Sequence, residues 1–263
     1  LDKHADDFDI ATDANVEELQ QIFPHNHPVG AQFGILLVIV NDEAFEVASF
    51  RKDGLYIDGR KPENIEKASP EEDAHRRDFT INGIFYDPTN KKIYDYVNGQ
   101  EDLKKKTVKT IGKAFERFQE DRLRMLRACR FAATLGFHIH DETLKAIVEF
   151  APQFFPSVSV ERVWQEILKA HKKSKLSDLF HLLEKVKLLE ILHPILPKLS
   201  YSTFQKRLDI LKDFKSSYPM PLFFALLWEK SHLGEIEHLL AFYKVSNQEK
   251  SIVHKWFRFI EAV

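Results

Sequence analysis

The chain has 263 residues, 44% of them hydrophobic and 30% charged, the proportions of a soluble globular protein large enough for more than one domain. A net charge of −2 gives no overall attraction to nucleic acid, so any nucleic-acid binding would rest on local patches. One cysteine, Cys129, excludes an internal disulfide framework and a cysteine-rich zinc site and suits a reducing cytoplasm; no apolar run approaches the roughly 20 residues of a membrane span.

The first hundred residues mix strands with one early helix. Phe8 to Ala11 reads as a short strand, and Asp13 is a candidate cap for a helix from Val16 to Phe23. Phe33 to Val40 is a continuous apolar run, the pattern of a strand covered on both faces. It is followed across Asn41-Asp42, a hairpin signal, by a strand from Ala44 to Phe50. Arg51 to Ser69 is polar and reads as a long loop, the kind that is often functional. Thr80 to Tyr86 and Lys92 to Val97 read as two more strands joined by the turn Asp87-Pro88-Thr89-Asn90.

After about residue 108 the pattern becomes helical throughout. The spacing predicts helices over 115–135, 141–151, 159–173, 177–192, 203–214, 220–230, 234–244 and 247–261, with Gly and Pro between or at the ends of them. The organisation is therefore an α+β head followed by an all-helical remainder. The chain opens on Leu1 with no apolar leader, which suggests that the native start lies upstream and gives no sign of export.

Three constellations carry possible chemistry. Asp7-Phe8-Asp9 on a strand would place both carboxylates on one face and turn Phe8 and Ile10 to the core. Such a pair suits a hard cation, although Asp-x-Asp also occurs in turns and helix caps. In Arg76-Arg77-Asp78-Phe79, two adjacent arginines cannot both face a core, so one is available to an anion, and Asp78 is placed to orient one of them. From Glu120 to Phe131, Asp121, Arg124, Arg127 and Arg130 recur every third residue beside the apolar stripe Leu123, Leu126, Cys129 and Ala133. On one uninterrupted helix, a carboxylate and a guanidinium one turn apart can face one ligand. A carboxylate accepts from the exocyclic amine of cytosine or adenine and a guanidinium donates to the adjacent ring nitrogen; guanine and uracil present the opposite pattern. The alternative is a solvated charged face. His25, His27, His138 and His140 have no metal-site spacing and read as turn or surface residues, and the Trp and Phe residues read as core.

Taken in order, these pieces resemble a known family. Asp7-Phe8-Asp9-Ile10-Ala11-Thr12, Glu46 to Arg51, Glu71 to Asn82 with Arg-Arg-Asp-Phe-Thr-Ile-Asn, Asp95 to Leu103 and the helix from Arg117 through Glu120-Asp121 are similar to the motifs of class II tRNA nucleotidyltransferases and bacterial poly(A) polymerases. The resemblance covers roughly residues 5 to 190. It implies a polymerase-β-like nucleotidyltransferase head over 1–108, a helical neck over 109–190 and a helical, tRNA-gripping body over 191–263. It implies Asp7 and Asp9 as catalytic ligands of Mg²⁺ and Arg77 as a nucleotide contact. It also implies Asp121 and Arg124 as the base-reading pair supported by Glu120, Arg127 and Arg130 as phosphate contacts, and Glu46 as a third carboxylate. The loop after Arg51 resembles that of enzymes able to add A. The expected reaction is addition of CCA to a tRNA 3′ end from CTP and ATP in the cytoplasm, with no membrane partner. Poly(A) or A-only addition, or a non-catalytic RNA-binding relative, are the alternatives. Nothing in the residues sets an oligomeric state. The sequence departs from the family in beginning after its Gly-Gly-x-Val-Arg-Asp segment, in being short at the tail, and in carrying Arg122 where proline or a small residue is usual; these departures put in doubt the activity of this stretch alone.

Overall fold

A computed structural model describes residues 8–28, 33–53, 65–192, 201–228 and 233–262. The chain divides into two compact units, residues 1–100 and 101–263.

The first unit is built on a four-stranded sheet. Its elements are β1 (Ile10–Thr12), α1 (Val16–Ile22), β2 (Asn26–His27), β3 (Ile35–Val40) and β4 (Glu43–Ser49), with strand order β1-β4-β3-β2. β1 runs parallel to β4, and the other pairs are antiparallel. Asn41 and Asp42 both take positive φ, 51° and 65°, and Val40 pairs with Glu43, so the hairpin turn is the two-residue one expected. Leu36, Val38 and Val47 meet Leu19 of α1 in the core of this sheet. The opposite face of β3 is only half-buried, so the apolar run does not mark a strand fully enclosed on both sides. Asn15, not Asp13, caps α1: its side chain accepts from the Glu18 amide (2.8 Å) while Glu18 accepts from the Asn15 amide (2.7 Å).

The stretch read as a long loop has an ordered stem, β5 (Arg51–Asp53) paired antiparallel with β6 (Ile65–Lys67); its centre lies outside the described residues. α2 (Pro70–Arg76) follows, started by a Ser69–Glu72 capping box and Pro70 at its first turn. Thr80–Asn82 is a 3-10 turn rather than the start of a strand. Asp78 accepts from the Phe79 amide and the Asn82 side chain (both 2.9 Å) and holds the backbone out of extension. The antiparallel hairpin of β7 (Ile84–Asp87) and β8 (Lys92–Asp95) is closed by Asp87, which accepts from the amides of Thr89 and Asn90. α3 (Gly99–Lys104) spans the division between the units.

The second unit is nearly all helix, with one feature the helical reading omitted: β9 (Thr107–Val108) pairs in parallel with β10 (His138–Ile139). Between them lie α4 (Ala114–Glu120) and α5 (Leu123–Leu135). α6 (Asp141–Phe150), α7 (Val160–Lys172), α8 (Leu176–Lys185), α9 (Leu189–Leu192), α10 (Tyr201–Ile210), α11 (Met220–Trp228), α12 (Leu233–Phe242) and α13 (Asn247–Ala262) complete it. The helix predicted over 177–192 is divided into α8 and α9, with Lys187 at φ 60° between them. Phe180, Phe223, Phe224 and Trp228 are all buried and pack ring against ring, as does Trp164 on Phe224. No helix among the described residues is long and apolar enough to cross a membrane.

Candidate active-site groups

In the first unit, Asp7 lies outside the described residues. Asp9 immediately precedes β1 and is exposed. The parallel register sets Ile10 against Val47 and Ala11 against Ala48. Carried back one residue, it puts Asp9 beside Glu46, also exposed, and paired residues direct their side chains to one face. Phe8 and Ile10 are 60% and 42% exposed rather than in the core; among the described residues β1 is an edge strand paired with β4 alone. The donors at this end of the sheet are hard, accessible carboxylate oxygens, a set that fits a divalent cation. Among the described residues alone, no cluster of three or more His, Cys, Asp or Glu side chains could hold a metal.

The Arg-Arg-Asp motif is organised by a residue that local reading missed. Asp73 on α2 pairs with both arginines: Arg76 at 2.6 Å through Nη2 and Arg77 at 3.1 Å through Nε and Nη2. Asp73 stands three residues before Arg76 and four before Arg77, so the capping signal at Ser69 would have put all three on one helical turn. Arg77 also donates to the Asn82 carbonyl (2.9 Å) and lies 4.6 Å over the Phe85 ring.

The basic helix of the second unit is in fact two helices. α4 ends at Glu120, Asp121 is extended (φ −148°, ψ 106°), and α5 begins at Leu123. The break has a local cause: the Asp121 carboxylate accepts from the Leu123 amide (3.0 Å), so the side chain competes with helix continuation without any Pro or Gly. Asp121 therefore does not share one helix with the arginines. Its carboxylate is held from α7, where Arg162 donates to both oxygens at 3.2 and 2.7 Å. Arg122 donates to Ser157.

Arg124 is 6% exposed and donates to Glu120 (2.6 Å) and to the Arg117 carbonyl (3.2 Å), and Arg117 also pairs with Glu120 (2.5 Å). Further along α5, Arg130 and Arg127 both turn to Glu166 of α7, at 2.5 and 3.5 Å, and Lys169 joins it at 2.9 Å. Burial would push the Glu166 carboxyl up, but Arg130, Arg127 and Lys169 together hold it below its ordinary value. Arg130 also lies 3.7 Å over the Phe131 ring and is more enclosed than Arg127. Leu123, Leu126, Cys129 and Ala133 are buried, so the apolar stripe is where the periodicity put it. Arg162 and Glu166 escaped the sequence reading because their partners are brought to them by packing of α7 against α5, and the only local trace is their spacing, one turn apart; Arg117 pairs with Glu120 within α4 itself.

Residues 1–109 match the Poly A polymerase head domain, and residues 136–199 match a domain described as the probable RNA and SrmB-binding site of polymerase A. The chain is 44% identical over 170 residues to the CCA-adding enzyme of Enterococcus faecalis, a match covering 64% of this chain and 41% of that protein. It is 32% identical over 266 residues to the CCA-adding enzyme of Staphylococcus aureus, covering the whole of this chain and 62% of the relative. The chain belongs to the class II tRNA nucleotidyltransferase and bacterial poly(A) polymerase family. The crystal structure of the Bacillus stearothermophilus CCA-adding enzyme in complex with CTP is similar with a TM-score of 0.78 and 30% identity, over 98% of this chain and 62% of that one. A tRNA nucleotidyltransferase complexed with a primer tRNA and an incoming ATP analog shares the fold at 23% identity and a TM-score of 0.74, over 99% of this chain and 76% of its own. The α+β head followed by helices is thus the polymerase-β-like nucleotidyltransferase head with the helical neck and body of this family. Family membership implies use of a divalent metal, and the carboxylates at the start of β1 are of the right chemistry. The chain spans roughly two fifths to three fifths of the length of these CCA-adding relatives.

Proposed function

We propose that the protein adds CCA to tRNA 3′ ends in the cytoplasm, using CTP and ATP without a nucleic-acid template. The observation that carries this reading is the pair of held groups at the α4–α5 break: a carboxylate fixed by Arg162 next to a guanidinium fixed by Glu120. Immobilised donors and acceptors can discriminate bases, since a mismatched base leaves a polar group unpaired at a cost of about 1–3 kcal/mol. Names borne by the relatives support the same reading. The proposed domains are the head over 1–108, the neck over 109–190 and the body over 191–263.

In this scheme Asp121 accepts from the exocyclic amine of cytosine or adenine, and Arg124 donates to the ring nitrogen beside it. Glu120 keeps Arg124 in plane. Arg77 grips the triphosphate, and Arg127 and Arg130 are phosphate contacts of the second unit, with Arg127 the more accessible of the two. The terminal hydroxyl of the RNA attacks the α-phosphorus and pyrophosphate leaves. Asp7 and Asp9 would hold Mg²⁺, which when bound supplies Lewis-acid stabilisation of charge developing on the phosphate.

The test is incorporation by the full-length protein on three RNAs. A CCA-adding enzyme extends tRNA lacking CCA and tRNA ending in CC, but not an unrelated RNA. Extension of all three with A alone would replace this reading with poly(A) addition, the second reading, which the match to the Poly A polymerase head domain favours. Loss of incorporation in Asp9→Ala is expected, and full activity in that variant would refute the metal assignment.

A further inference from the structure

Asp73 is 1% exposed and is flanked by two cations and a strand. Its Oδ1 accepts from the Arg51 amide (3.2 Å) and from Arg76 Nε (2.8 Å), while its Oδ2 accepts from Arg77 Nε (3.1 Å). Arg76 Nε donates in addition to the Arg51 carbonyl (3.0 Å). One buried carboxylate therefore clasps both polar groups of the first residue of β5, one directly and one through Arg76, and fixes the plane of Arg77 with its other oxygen. A carboxylate that only balanced charge would have no reason to bind a backbone amide of another element. The cluster of Asp73, Arg76 and Arg77 carries a formal charge of +1, so a site for an anion survives the pairing.

We infer that Asp73 is a positioning residue that ties the stem of the β5–β6 hairpin to the triphosphate-gripping guanidinium of Arg77, so that neither can shift without the other. This rests on the proposed nucleotidyl transfer. Removing the clasp frees Arg77 to leave its plane, which weakens triphosphate binding while leaving the reacting groups in place. It also releases the Arg51 amide, whatever reaction the protein performs.

The experiment uses the full-length protein as wild type, Asp73→Asn, Arg77→Ala and the double variant. Incorporation kinetics are measured with CTP, and hydrogen exchange is followed at the Arg51 amide. Asp73→Asn is expected to raise KM for CTP about tenfold with kcat within about threefold. The double variant is expected to match Arg77→Ala, because Asp73 acts through Arg77. An unchanged KM, or losses that multiply in the double variant, overturns the inference. Arg51 exchange should quicken in Asp73→Asn and stay slow in Arg77→Ala; slow exchange in both variants overturns the clasp even if the protein adds no nucleotide. A wild type that extends no tRNA defeats the nucleotidyl-transfer reading instead, and quickened Arg51 exchange would still uphold the clasp. Should Asp73→Asn fail to fold, Asp73→Glu keeps the charge but lengthens the arm by one methylene, and an unchanged KM in that variant is equally decisive against the role.

Discussion

Glu166 keeps its charge where almost no water reaches it, and three cations make that possible. Removing one member of such a buried set leaves the others uncompensated, so Glu166→Gln should cost about 3–5 kcal/mol, read as a fall in Tm. Because the folded carboxyl lies below its ordinary 4.5, its contribution is fully present above that pH and is lost as pH falls through the folded value. Wild-type Tm should therefore drop on acidification below about pH 4.5, and Glu166→Gln should drop less over the same range. Parallel Tm–pH curves for the two proteins would contradict this. Arg162 makes a different prediction, because it holds a group that reads the base rather than one that holds the core. Arg162→Ala should raise misincorporation of UTP and GTP relative to CTP by about tenfold, the worth of one well-placed polar contact. Equal losses with all four nucleotides would assign Arg162 to stability alone.

At the scale of elements, apolar periodicity located α6, α7 and α13 to within a residue or two, since each packs one continuous stripe on the core. It joined α4 to α5 because no Pro or Gly separates them and the break is made by Asp121 capping Leu123, a use of Asp that spacing does not reveal. The 3-10 turn at Thr80–Asn82 was hidden for a similar reason, with the Asp78 carboxylate holding the Phe79 amide and the Asn82 side chain. The nucleotide-reading candidates Asp121 and Arg124 were legible locally. So was Glu120 beside Arg124, but the partners of Asp121 and Arg130 were not: Arg162 lies 41 residues from Asp121 and Glu166 lies 36 from Arg130, distances in sequence that only tertiary packing closes. The glycines show the same contrast between local and tertiary causes. A Cβ on Gly99 would lie 2.1 Å from the Thr80 carbonyl oxygen and 2.7 Å from Ile84 Cγ1, whereas a Cβ on Gly234 would meet nothing within 4 Å. Gly99→Ala should therefore destabilise by about 3 kcal/mol or more, at the upper end of overpacking costs. Gly234→Ala, in the first turn of α12, should stabilise by up to about 1 kcal/mol. Denaturant titration of both variants checks the pair, and a neutral Gly99→Ala would show that α3 and the Thr80 turn do not pack as described.

For the whole molecule, the net charge of −2 conceals a separation. Residues 1–100 hold 10 Lys and Arg against 20 Asp and Glu, a net −10, and residues 101–263 hold 28 against 20, a net +8. Phosphate backbone is drawn to the second unit and repelled by the first, except where a divalent cation offsets the carboxylates. Within the second unit, Lys172 and Lys173 are exposed at the C-terminal end of α7, inside the stretch that matches the RNA-binding domain. If binding engages about four phosphates on duplex RNA, raising salt from roughly 50 to 200 mM should weaken it about a hundredfold, by analogy with counterion release from duplex DNA. Lys172→Glu with Lys173→Glu should weaken binding and flatten the salt dependence, because contacts that release counterions are lost. Lys91→Glu with Lys92→Glu, a change of equal size on the β7–β8 hairpin, should leave the slope as it was. Affinity measured across a salt series for the three proteins decides it: if the hairpin variant flattens the slope and the α7 variant does not, charge separation does not direct the RNA.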